Sequence, residues 1–179
     1  MNILLAILGI IGGLIALLLL IALFTKKSYT ISREFLIEKP VREVFTYIKH
    51  LKNQDHYSKG VMTDPNMKKQ YRGMDGTPGF IYSWDGNKQA GKGEQEIKKI
   101  IEDKKLDVEI RFIRPFEGIA QAPLKTQSLS SNQTRVTWGM SSSMKYPMNI
   151  MLMFIDMNKL LGKDLDESLR NLKSILERK

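Results

Sequence analysis

Residues 147–179 constrain this chain more than any other stretch. Pro147 suits the first turn of a helix, where its missing N–H would be unpaired anyway. Ile150, Phe154, Met157, Leu161, Leu165, Leu169, Leu172 and Leu176 then recur every three or four residues. That spacing predicts one amphipathic helix, roughly 45 Å long at about 1.5 Å per residue. From Leu165 onward the opposite face carries Asp166, Glu167, Arg170, Lys173, Glu177 and Arg178, an ordinary solvated surface. From Met148 to Ile155 the pattern is apolar nearly all round, so that end must be buried or cover something apolar. Gly162 costs about 1 kcal/mol against alanine in a helix, and a bend is expected there. A helix this long needs a broad partner surface.

The other end of the chain belongs to a membrane. Ile3–Phe24 is 22 residues without a charge, long enough to cross a hydrocarbon core of about 30 Å. A cleaved signal peptide is the alternative. Against it stand the absence of a basic leading region, an apolar run longer than usual, and no small-residue cleavage site before Lys26. Lys26 and Lys27 follow the span at once, which places the remainder in the cytoplasm by the positive-inside rule. An anchor over residues 1–27 leaves one domain over 28–179, about 150 residues, enough for a sizeable core.

The net charge of +9 suits anionic surroundings. Its lysines and arginines are spread among acidic neighbours, without a basic arm, zinc-finger spacing or aromatic RNA-binding motif. A membrane surface therefore fits better than nucleic acid. The chain has no cysteine, which excludes disulfides, thiolate catalysis and thiolate metal sites.

Between anchor and helix the chain reads mostly as strands. Tyr29, Ile31, Phe35 and Ile37 alternate with polar residues, and Pro40 then opens a short helix with Val41, Val44, Phe45, Ile48 and Leu51 on one face. Residues 53–65 read as polar and irregular. Strands are expected near 67–71, 80–84, 93–101, 106–112, 117–129 and 136–140, with Pro123 marking an edge or bulge. Strands in hairpin succession with helices outside them indicate an α+β domain built on an antiparallel sheet. A curved sheet on one long helix leaves space where inward side chains do not fill it, and small-molecule sites usually lie in such spaces.

The order of elements, the stretch Ile37-Glu38-Lys39-Pro40-Val41-Arg42-Glu43-Val44-Phe45, the late strand with Trp138 and the long last helix resemble the START/Bet v 1-like (SRPBCC) superfamily. Within it the chain is most similar to the bacterial polyketide cyclase/dehydrase and lipid-transport branch, in a membrane-anchored form. The resemblance implies a helix-grip fold, with a sheet of about seven strands wrapped on the last helix over a hydrophobic cavity. It also implies binding or carriage of apolar ligands, and in a few members catalysis. Gly60 departs from the pattern, standing where relatives often carry tryptophan, and so does Pro123 within a strand.

Six of the ten methionines crowd into 140–157. Methionine suits surfaces that accept several apolar shapes, though a methionine-rich core would read the same. The expected cavity lining is Phe80, Tyr82, Trp84, Val108, Ile110, Phe112, Trp138, Met140, Met151, Phe154, Ile155 and Met157. A lipid, a quinone or a polyketide-like molecule would suit it, with no cofactor called for.

Catalytic signals are weak. His50 and His56 lie six apart and lack the spacing and third ligand of a metal site. No nucleophile elbow or phosphate loop appears, and Gly91-Lys92-Gly93 reads as a turn. Tyr82, Glu94 and Arg111 are the candidates if the cavity is that of a cyclase or dehydratase, although the inward register of Val108, Ile110 and Phe112 turns Glu109 and Arg111 towards water. A carrier domain leads; such an enzyme, or a co-chaperone-like interaction module with a filled cavity, are the alternatives.

Overall fold

The computed structural model describes residues 3–178. Helix α1 (Ile3–Phe24) leads into strand β1 (Ser28–Ile37) and helix α2 (Val41–Ile48). A 3-10 turn (Leu51–Asn53) and the short helices α3 (Gln54–Tyr57) and α4 (Lys59–Met62) follow. Strands β2 (Lys68–Arg72), β3 (Ile81–Asp85), β4 (Lys92–Ile101), β5 (Lys105–Arg114), β6 (Gly118–Gln121), β7 (Leu124–Ser130) and β8 (Gln133–Ser143) complete the sheet. A second 3-10 turn (Met148–Ile150) and helix α5 (Met151–Phe154) precede the last helix, α6 (Met157–Glu177). The sheet is antiparallel, in the order β1-β8-β6-β5-β4-β3-β2, with β7 paired to β5 and β8. The fold is α+β, as the strand pattern implies.

Eight strands stand where about seven are expected, because the strand read over 117–129 is split at Pro123. Ala122 still donates to the Val108 carbonyl at 2.7 Å, while Pro123 has no N–H to give. Its carbonyl accepts from Gly139 at 2.9 Å, and the ladder resumes as β7. Pro123 therefore interrupts the strand without ending it.

Residues 53–65 are not irregular, as their polarity suggests, but fold into short helical turns. The buried positions Leu51, Gln54 and Tyr57 recur every third residue, the period at which a 3-10 helix aligns side chains. The Asp75 carboxylate caps this start, accepting from the Leu51 N–H at 2.8 Å and the Lys52 N–H at 3.2 Å.

The single helix expected from Pro147 is also corrected. The break lies at Ile155 and Asp156, both extended, and not at Gly162. Asp156 caps α6 by accepting from the Lys159 N–H at 3.1 Å. Gly162 is buried within an unbroken helix, and a Cβ there would overlap the guanidinium of Arg33. Arg33 reaches under α6 to Asp166, Nε to Oδ2 at 3.0 Å, and to the Asn158 carbonyl at 3.2 Å.

Leu169, Leu172 and Leu176 bury the second half of the α6 stripe in one core cluster with Ile37, Val136, Phe45 and Ile48. That end of the helix is closed. The other end is where the packing opens.

Candidate functional site: the cavity under the last helix

A cavity of about 360 Å³ lies between the first half of α6 and the sheet. Trp84, Val108, Ile110, Phe112, Trp138 and Met140 supply the sheet wall, and Met157, Leu161 and Leu165 the helix wall. The inward register that brings them together follows the pleat, with Trp84 opposite Gly93 and Gly93 opposite Phe112. Gly93 is needed here, since a Cβ would strike the Trp84 ring. The indole crosses that gap, meets Phe112 edge-on at 6.2 Å and donates to the Ala90 carbonyl at 3.0 Å.

The remaining expected lining residues lie elsewhere. Phe80 and Tyr82 are fully buried in the core and outside the lining. The Tyr82 hydroxyl donates to Asp55 at 2.8 Å, and Asp55 pairs with Lys69 at 2.8 Å. Burial, reinforced by that carboxylate, pushes the Tyr82 pKa well above its usual range. Met151, Phe154 and Ile155 precede the start of α6, and Phe154 is 75 % exposed. The helix break at 155–156 leaves these three outside α6.

Glu94 and Arg111 are also outside the cavity. They alternate with inward Gln95, Ile110 and Phe112, and so occupy the opposite face. There Arg111 bonds Glu94 at 2.8 Å, Glu96 at 2.8 Å and Glu109 at 2.6 Å. The Glu96 pKa is lowered by its bonds to Lys98 and Arg111, and that of Glu109 by Gln121 and Arg111. This is a half-solvated surface cluster that ties β4 to β5. His50 lies 3.8 Å from Asp75, and His56 is exposed. Among the described residues no group of three or more His, Asp or Glu is arranged to hold a metal.

A polar side of the cavity escapes a reading that looks for apolar alternation. Gln95 and Gln54 are buried and joined amide to amide at 3.0 Å. Ser58, Ser168 and Asp164 complete this side. Ser168 donates to the Asp164 backbone carbonyl at 2.6 Å and accepts from the Lys59 N–H at 2.8 Å. The nearby Lys59 ammonium is engaged by Glu167 at 2.8 Å, and among the described residues the Asp164 carboxylate has no ion pair. Burial raises its pKa, with Glu167 adding to the rise and Lys59 and Lys163 opposing it. The sequence does carry a signal: Asp164 and Ser168 fall three and seven residues after Leu161, on the stripe that faces the sheet. Three buried side-chain polar atoms lack partners among the described residues: Asn149 Oδ1 away from the cavity, and the Trp138 indole nitrogen and the Tyr57 hydroxyl, whose rings meet edge-on at 5.8 Å.

Neither a protein-family model nor a curated protein sequence matches the chain. Solved structures match over most of its length. Norcoclaurine synthase from Thalictrum flavum, solved with dopamine and hydroxybenzaldehyde, superposes with a TM-score of 0.62 at 12 % identity, over 88 % of this chain and 91 % of that one. A protein from Chromobacterium violaceum gives 0.60 at 11 % identity, over 84 % and 98 %. Ara h 8.0201 gives 0.53 at 12 % identity, over 83 % and 97 %. The part of the chain that these structures cover therefore has the Bet v 1-like helix-grip fold. At these identities the likeness defines the fold alone.

Proposed function

We propose that the chain is a membrane-tethered carrier or binding domain for a hydrophobic small molecule held between the sheet and α6. The observation that carries this reading is the cavity itself. Its volume falls within the range of about 300–1,000 Å³ usual for small-molecule sites, and its apolar walls face one polar side. A ligand with an apolar body and one hydrogen-bonding end fits such a wall. A neutral or cationic end suits Asp164, whereas an anionic one would meet a like charge. Helix α1 would hold the domain at the bilayer. Its 22 residues reach about 33 Å at 1.5 Å per residue, and its hydropathic stretch has a mean hydropathy of 3.1. Lys26 and Lys27 favour the cytoplasmic side.

One observation favours a second reading. A carboxylate without an ion pair at an apolar cavity is a proton-transfer candidate, so a cyclase-type reaction would have to run through Asp164. Tyr82, Glu94 and Arg111 do not line the cavity to assist it. Binding therefore ranks first.

Native mass spectrometry of the full-length protein, extracted from its own membrane, tests the carrier reading beside an Ile110→Trp variant. That substitution fills the cavity and leaves α1 untouched. A stoichiometric apolar ligand on the parent protein and not on the variant is expected. A molecule held equally by both belongs to the span. An empty parent that also refuses fluorescent lipid and quinone probes sinks the reading.

A further inference from the structure

Residues 146–155, between β8 and α6, take no part in the cavity and are clamped to the end of α1. Asn149 is fully buried, and its side-chain amide donates to the Ala22 carbonyl at 2.6 Å and the Thr25 carbonyl at 3.2 Å. The last carbonyls of a helix have no intrahelical donor, and beside hydrocarbon such orphans are costly. Asn149 supplies that donor, and Ala22 is buried beneath it while the rest of α1 is largely exposed. Yet the residues flanking the clamp turn outward: Met148 is 44 %, Met153 56 % and Phe154 75 % exposed.

The sheet register places a second apolar point at the same end. Ser28, the first residue of β1, pairs with Ser143, and Ala120 of β6 pairs with Ser142. The turn joining β5 to β6 therefore projects past the edge at which the chain leaves α1. It carries Phe116, 65 % exposed. Cations lie at the same end. The Met144 N–H donates to the Lys27 carbonyl at 2.8 Å, which sets Lys145 beside Lys26 and Lys27.

We propose that the domain rests on the bilayer through this footprint, with Met153, Phe154 and the Phe116 tip entering the boundary between headgroups and acyl chains. Lys26, Lys27 and Lys145 would meet anionic headgroups around it. A lipid surface is the occupant because the footprint is hydrogen-bonded to the last turn of the helix that enters the membrane. No other partner is brought there by the chain itself. This inference rests on α1 being the span. It also gives the cavity a short route to lipid: Met157 starts three residues after Phe154, and Tyr29 lies four after Thr25.

The chain lacks cysteine, so single labels are clean. Phe154→Cys and Phe116→Cys in the full-length protein, each carrying an environment-sensitive nitrobenzoxadiazole fluorophore, would be reconstituted in vesicles of phosphatidylcholine and phosphatidylglycerol. Ser174→Cys, exposed on α6, serves as the water control and Leu14→Cys as the span control. Both footprint labels are expected to be quenched by lipid-borne nitroxide, and by aqueous iodide several-fold less than the label at 174. Either one quenched by iodide like 174 overturns the footprint. Protection from iodide without nitroxide quenching also overturns it and indicates a second protein copy instead. A label at 14 that is not in lipid sinks the tether itself, a failure separate from that of the footprint.

Discussion

The two halves of α6 rest on the same sheet and do different work. At the C-terminal half, Leu169, Leu172 and Leu176 are buried in the core cluster, where α6 packs on β1. At the N-terminal half, Met157, Leu161 and Leu165 stand over a gap faced by Trp84, Ile110 and Met140, with Asp164 and Ser168 turned towards it. Helix α2 belongs to the closed part of the core. Val44, Phe45 and Ile48 are fully buried in the same core cluster, and no residue of α2 lines the gap. A dense interior loses contacts on both sides of any void, so the closed half supplies the stability that lets the open half stay unfilled.

Leu172→Ala should therefore be the most damaging of the simple truncations. The side chain is fully buried in the closed half, and such losses run to about 3 kcal/mol. Thermal unfolding in detergent would fall by roughly 10 °C. Leu161→Ala, at the edge of existing space, should cost about 1 kcal/mol or less, while enlarging the room for ligand. Equal losses at 161 and 172 would erase the distinction between the halves.

Gly162 sharpens the boundary between them. Alanine there gains about 1 kcal/mol of helix propensity but displaces Arg33 from Asp166 and the Asn158 carbonyl. Those charge-assisted bonds are half-solvated and of similar worth, so Gly162→Ala should stay within about 1 kcal/mol of neutral. In an Arg33→Ala background the same change should stabilise by about 1 kcal/mol. A double-mutant cycle by urea unfolding measures the coupling, and its absence would show that Arg33 does not hold the glycine in place.

The closed half was the more legible in sequence. Leucines at helical spacing and the Val44-Phe45 pair mark a buried face whatever they touch, since burial sets their pattern directly. The open half is harder to read because its residues answer to an empty space. Phe80 and Tyr82 alternate as cavity residues would, yet Tyr82 is drawn into the core through its bond to Asp55. Met151, Phe154 and Ile155 belong to the apolar run that leads into the stripe, but α6 begins only after the capping Asp156, and a short polar cap carries little weight beside a long periodic run. Gln54 and Gln95 read as surface residues until the fold pairs them across 41 positions of sequence.

The smallest effect belongs to Asp164, and its sign separates it from the other shifted carboxyls. Asp85, Glu96, Glu109 and Glu177 are lowered by cationic or hydrogen-bonding partners, so their stabilisation is present near neutral pH and lost as pH falls through their folded pKa values. Asp164 is raised above its usual 3.8 by burial, so the folded chain binds its proton more tightly than the unfolded chain does. Its contribution is then complete at low pH and lost as pH rises through the folded pKa, leaving a carboxylate at neutral pH that opposes folding. Asp164→Asn should accordingly stabilise the protein at pH 7 by about 0.5 kcal/mol or less, because solvent still reaches the group. The gain should shrink towards zero below pH ~4, where the parent carboxyl is protonated in both states. Unfolding curves of parent and variant across that range give the difference directly, with the surface carboxylates cancelling. A gain that grew on acidification would mean that a cation stabilises Asp164 in the fold, and the polar side of the cavity would then already be neutralised before any ligand arrived.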